Sequence, residues 1–177
     1  MSRDQLEQLV KAAGYQDFRW IDPAQIEVAN WVQMKCRFGC DSYGKVASCP
    51  PNVPGIAESR AFFAEYSQAL VFRFCQQVDA DERHDWSRQI NLKLLQLERD
   101  VFLAGYRKAF LLFMDNCAIC AECAPTRENC KLPQKSRPSP EGMGVDVFAT
   151  VRSVGYPIEV LSDYDQPMNR YAFLLID

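Results

Sequence analysis

The run CAICAECAPTRENCKLP, from Cys117 to Pro133, constrains this chain more than any other stretch. Cys117, Cys120, Cys123 and Cys130 follow a C-x2-C-x2-C-x6-C spacing. Three thiols at two successive two-residue intervals do not easily converge on one tetrahedral zinc. A loop with that rhythm does wrap over three corners of a cubane, as bacterial ferredoxins use it. The departure from ferredoxin lies after Cys123, where six residues intervene rather than three. Zinc held by two separate C-x2-C knuckles is the alternative. Four unligated thiols in so short a loop would be open to oxidation. The expected cofactor is therefore a [4Fe-4S] cluster, one or two per chain, with zinc as the alternative.

A second group, Cys36, Cys40 and Cys49, lies in CRFGCDSYGKVASCPPNVP with C-x3-C-x8-C spacing. Gly39 and Gly44 allow tight bends there, Pro50, Pro51 and Pro54 stiffen the exit, and Cys49-Pro50 matches the Cys-Pro that closes ferredoxin sites. Cys36–Cys49 reads as polar loop, so its thiols are expected to ligate metal, as a second cluster or by sharing ligands with the first. Seven loop cysteines are one short of two fully cysteine-ligated cubanes. The eighth, Cys75, lies in an apolar strand and reads as an inert buried thiol. A two-cluster protein would then leave one iron to a non-cysteine or exogenous ligand, and an open iron acts as a Lewis acid toward substrate.

The chain's bulk properties narrow the function classes. Its 177 residues suit one domain, 1–177, with a sizeable core. A net charge of −3 argues against nucleic-acid binding. No apolar run reaches the roughly 18 residues of a membrane span, and MSRDQLEQLVKAAG has helical periodicity with acidic residues rather than a signal-peptide core. A cytoplasmic protein is expected, where eight cysteines point to metal rather than disulfides. The sequence does not fix the oligomeric state.

Ser2 and Gln5 form a capping box for a first helix with Leu6, Leu9, Val10 and Ala13 on one side. A strand at Asp17–Ile21, one helical turn or two at Asn30–Lys35, a helix at Pro54–Tyr66 and a strand at Ala69–Cys75 follow. Asp79–Ala104 reads as a long helix with Trp86, Ile90, Leu94, Leu97 and Val101 on one face. The continuously apolar Ala109–Met114 suits a central strand that runs straight into the main cysteine loop. After the Pro-rich Leu132–Pro140 come a helix through Phe148 and Val151 to Gly155, then strands at Ile158–Leu161 and Tyr171–Ile176. This order predicts an α/β sandwich, or α+β, with a mixed sheet and two cysteine-rich metal-binding loops.

Other polar residues carry less. His84, the one histidine, sits among Asp81, Glu82, Arg83 and Asp85 and reads as solvated. Arg127, Lys131, Lys135 and Arg137 surround the last cysteine of the main loop with positive charge, either as a solvated face or as a docking site for an anionic partner. Tyr43 and Lys45 are candidate hydrogen-bond donors to cluster sulfur or substrate, and Glu141 and Asp146 candidate acid/base groups.

The segments CRFGCDSYGKVASCPPNVP and CAICAECAPTRENCKLPQKSRPSPEGMGVDVF resemble the two signature regions of a family of predicted metal-binding proteins of unknown function. Pro140 and Val145 are mild departures from the family's RPS-x-E-x-x-GIDV ending. The resemblance implies metal binding by Cys36, Cys40, Cys49, Cys117, Cys120, Cys123 and Cys130, and supplies no reaction. With no G-x-G-x-x-G after a strand and no P-loop, electrons are expected to pass to or from a protein partner. The expected role is thus electron transfer in redox metabolism. The alternatives are an enzyme that activates a small-molecule substrate at an open iron, and a zinc-stabilised interaction module.

Overall fold

Four strands form one sheet in the order β1-β2-β4-β3: β1 (Phe18–Ile21), β2 (Ala69–Gln76), β3 (Phe110–Leu112) and β4 (Met168–Leu175). The structure is a computed structural model and describes residues 2–163 and 165–177. The α/β class expected from the sequence holds, but the sheet is antiparallel at all three pairings rather than mixed. β2 and β3 run in the same direction, as a strand–helix–strand unit implies. The C-terminal strand β4 inserts between them, so the parallel pair never forms a ladder.

Both faces of the central pair are apolar, which is why these strands carry no clean alternation of polar and apolar residues. Leu70, Phe72, Ala172 and Leu174 point to one side, Ala69, Val71, Phe173 and Leu175 to the other, and all are fully buried. The first face is covered by α1 (Arg3–Ala12) and α4 (Arg83–Leu103), through Leu6, Val10, Leu94, Leu97 and Val101. The capping box on α1 is present, with Gln5 N–H donating to Ser2 Oγ at 3.3 Å and Ser2 N–H to Gln5 Oε1 at 2.9 Å.

The second face packs against α3 (Ile56–Phe63), α5 (Val147–Ser153) and the segment leading into α5. The strand expected at Ile158–Leu161 is not formed: that stretch has no ladder partner. Ile158 joins the core while Val160 is 83% exposed, so burial there fixes one residue and not a strand.

Helix α2 (Asn30–Gly39) runs beyond the turn or two expected and takes Cys36 into its last turns. Its entry is pinned by Ala29 N–H donating to the Gly144 carbonyl at 2.8 Å and Asp146 N–H to the Glu27 carbonyl at 2.7 Å. Gln33 Nε2 adds bonds to the Pro54 and Gly142 carbonyls, each at 3.1 Å. Gly144 has φ +81°, a left-handed conformation that favours glycine, and it sits against Ile56 and the chain just before α2. No helix among the described residues is long and apolar enough to cross a membrane.

Candidate metal centre

The main cysteine loop leaves the sheet at the end of β3 and returns beside it, where Phe113 N–H donates to the Pro138 carbonyl at 2.9 Å. Three polar residues on the buried stripe of α4, Ser87, Asn91 and Glu98, fix both ends. Asn91 donates to the Met114 carbonyl at 2.9 Å and accepts from Met114 N–H at 3.0 Å. Ser87 Oγ donates to Asp115 Oδ2 at 2.7 Å. Asp115 has φ 58°, a left-handed conformation that Asp visits more readily than most residues. At the return, Glu98 Oε1 accepts from Leu111 N–H at 2.8 Å and Arg137 Nε at 2.9 Å, and Oε2 from Arg137 Nη2 at 2.8 Å. Between the first two thiols, Ala118 and Ile119 are buried, Ile119 within the α1/α4 core. The loop is thus seated by its own apolar residues as well as by its ends.

The first cysteine group begins on α2 with Cys36, and Cys40 follows the helix directly. A series of tight turns then presents Cys49. Tyr43 N–H donates to the Cys40 carbonyl at 3.1 Å, Gly44 N–H to the Pro50 carbonyl at 3.0 Å and Cys49 N–H to the Val46 carbonyl at 3.0 Å. Gly44 makes this possible with φ 69°. Asn52 then joins the two loops: its side-chain amide donates to the Val46 carbonyl at 3.2 Å and to the Pro125 carbonyl at 2.8 Å.

The loops bring all seven sequence-predicted thiols into one electrostatic neighbourhood. Burial pushes the Cys49 thiol up to about 12, helped by the like charges of Cys40, Cys36, Cys123 and Cys117. Burial raises Cys36 too, with Cys40 and Glu141 adding to it. Cys120 is raised by burial and by Cys117, Cys123 and Cys130, against a lowering by Lys131. All these cysteines are free thiols. Among the described residues, however, no three Cys, His, Asp or Glu side chains meet in a geometry that holds a metal ion. The thiols are gathered but not closed on a point. The donor set itself fits a soft metal: it is sulfur-rich and drawn from two anchored loops.

Cys36, Cys40 and Cys49 border a cavity of about 270 Å³ together with Tyr43, Asp115 and Glu141. Glu141 is exposed and borders both this cavity and a second, adjoining cleft. Loss of hydration raises its carboxyl to about 7, against the lowering effects of its backbone and Ser139 hydrogen bonds and of Arg170, with Asp115 raising it further. Asp146 is instead the N-cap of α5, accepting from Ala149 N–H at 3.0 Å, and is occupied structurally.

Cys75 is exposed, not buried as its sequence context suggested. β2 runs on past the core, placing Cys75 opposite Asn169 and outside the cavity the loop thiols border. Lys45 is exposed and outside that cavity as well. His84 lies exposed at the start of α4, 3.9 Å from Asp85. The basic stretch 127–137 is largely spent internally. Arg137 is bound to Glu98, Lys131 pairs with Glu122 at 3.7 Å, and Arg127 donates to the Pro133 carbonyl at 3.1 Å. The sequence reading passed over Ser87, Asn91, Glu98, Asn52 and Arg170. The first three had a signal, polar residues set at helical spacing along an otherwise apolar stripe; Asn52 and Arg170 had none.

No curated protein and no solved structure matches the chain. A family model does match, over residues 19–176, which takes in both cysteine loops and every element except α1 and the first residue of β1. The chain belongs to the family described as Predicted metal-binding protein (DUF2284).

Proposed function

We propose that this chain is an iron–sulfur protein of redox metabolism, binding [4Fe-4S] through its loop thiols and exchanging electrons with a protein partner. The observation that supports the reading is that seven free thiols lie on two separately anchored loops that Asn52 ties together. Such a cluster, when bound, supplies one-electron transfer at a potential set by charge, hydrogen bonding and exposure. The chain's own part is to hold the donors. Asn91, Ser87 and Glu98 fix the ends of the 117–130 loop, and Asn52 keeps the 36–49 loop against it. Lys35, Arg37 and Lys45, close in sequence to the first cysteine group, make no ion pair among the described residues, and Arg37 lies over the exposed Phe38 ring. They suit an acidic electron carrier.

The test is metal and sulfide analysis of anaerobically purified full chain, with electron paramagnetic resonance after reduction. Iron and sulfide in equal amounts, in whole multiples of one cubane, are expected. Zinc without sulfide would overturn the reading in favour of a zinc-stabilised module. A second reading, an enzyme that activates a small molecule at an open iron, is favoured by one observation: a cleft of about 330 Å³ with apolar walls adjoins the thiols.

A further inference from the structure

That cleft lies between α2, the start of α5 and the start of β4, and its volume falls in the range of about 300–1,000 Å³ usual for small-molecule sites. It shares Cys36, Cys40, Asp115 and Glu141 with the thiol cavity, so the two hollows adjoin along one rim. Its walls are Trp31 and Val32 from α2, Phe148 from α5, Ile158 and Tyr171. Trp31 is 48% exposed, a large aromatic face left uncovered where a ligand would cover it.

The charges in the cleft are unequally engaged. Each acid is held by the protein: Asp115 by Ser87 at 2.7 Å, Asp146 by the Ala149 amide at 3.0 Å, and Glu141 by Ser139 and its own backbone. The cations are less satisfied. Arg170 Nε is buried without a hydrogen-bond partner, its ion-pair oxygen on Asp115 lying 3.6 Å away. Lys35 stands over the Trp31 ring at 5.1 Å and meets no carboxylate within ion-pair distance among the described residues. Arg170 lines the cleft with its side chain 38% exposed, so an anionic group entering there meets a guanidinium that its own carboxylate neighbour, 3.6 Å away, engages only loosely.

We infer that this cleft binds a small monocarboxylate with an apolar body, the carboxylate drawn to Arg170 and Lys35 and the body lying against Trp31, Phe148 and Ile158. This deepens the enzyme reading by naming the ligand class and the residues that select it. Cys36 and Cys40 on the shared rim place the bound molecule beside the candidate metal centre.

The experiment is calorimetric titration of the anaerobically purified full chain with phenylacetate, with its neutral isostere phenylacetamide, and with hexanoate. Iron and sulfide are measured on the same sample, so failure of ligand binding and failure of the cluster reading are seen separately. Phenylacetate should bind at least about ten-fold more tightly than phenylacetamide, as a charge-assisted hydrogen bond implies. Lys35→Gln and Arg170→Gln should each remove that preference and leave amide binding unchanged, whereas Trp31→Ala should weaken both compounds together. Because Arg170 also pairs with Asp115, Lys35→Gln, at an exposed position, is the decisive variant if Arg170→Gln fails to fold. Equal binding of acid and amide, an unchanged preference in Lys35→Gln, or no binding of either phenylacetate or hexanoate overturns the assignment.

Discussion

Replacing Glu98 by alanine should destabilise the metal-free chain more than any single cysteine substitution. Its carboxylate is 8% exposed and receives both Arg137 nitrogens and the Leu111 amide. Breaking a buried ion pair from one side costs about 3–5 kcal/mol, because the remaining charge stays buried. The orphaned Leu111 N–H adds about 1–3 kcal/mol. Arg137→Ala leaves Glu98, the more buried charge at 8% exposure, partnered only by the amide, so it should also cost about 3–5 kcal/mol; in Glu98→Ala the ion-pair part is smaller, because the remaining guanidinium is 21% exposed and keeps the Gln134 and Ser136 carbonyls. The double variant keeps neither charge. It should lose only the amide's partner and some packing, well below the sum of the singles. Urea denaturation followed by circular dichroism, in reductant at neutral pH, measures all three. Single losses that add to within about 0.5 kcal/mol would show that the two side chains act independently, and the account of how the loop is held at its return would then be wrong.

Metal retention should separate the cysteines: Cys120→Ser loses most iron from anaerobic preparations and Cys75→Ser keeps it, and iron unchanged in Cys120→Ser contradicts the assignment of that thiol. Asn52→Ala removes no thiol but unties the loops at Pro125 and Val46; it should lower metal content while the far-ultraviolet spectrum stays native, and full content would mean the tie is dispensable. For the metal-free chain, the thiol of Cys49 is raised from 9.0 to about 12. A raised acid group favours the fold fully below the unfolded value and less as pH rises through the folded one, so urea midpoints should fall between about pH 9 and 12. Cys49→Ala should reduce that fall, leaving the part due to buried tyrosines. Reversing Arg37 and Lys45 to Glu should slow electron exchange with an acidic carrier and flatten its salt dependence, and a rate indifferent to both would exclude this face as the docking site.

Where the sequence was legible, periodicity or covalent constraint was strong. The capping box at Ser2, the stripe Leu94–Leu97–Val101 and the apolar runs of β2, β3 and β4 all follow from side-chain burial that one segment decides alone. Sheet order did not follow, because inserting β4 between β2 and β3 depends on how the last strand competes for an edge. Cys75 misled for a related reason: its apolar neighbours Phe72 and Phe74 are covered, but β2 outruns its cover. The cysteine loops could be found from spacing, whereas their anchors could not, since Asn52 and Pro125 meet across 73 residues of chain. In the basic stretch 127–137, the tie of Arg137 was hidden because its buried acid, Glu98, lies 39 residues away in sequence.

The metal-free arrangement bears on how a centre would load. Burial, with the like charges of neighbouring cysteines adding to it, raises the thiols of Cys36, Cys49 and Cys120 and so favours their protonated forms. A bound cation removes the repulsion and takes the thiolates, releasing protons as it does so, so affinity rises with pH over the range in which the protein stays folded. The loop ends do not need to move for this: Asp115 is set from α4 and Arg137 is clamped by Glu98. Anchors made of buried side chains would confine the ordering cost of loading to the loops between them.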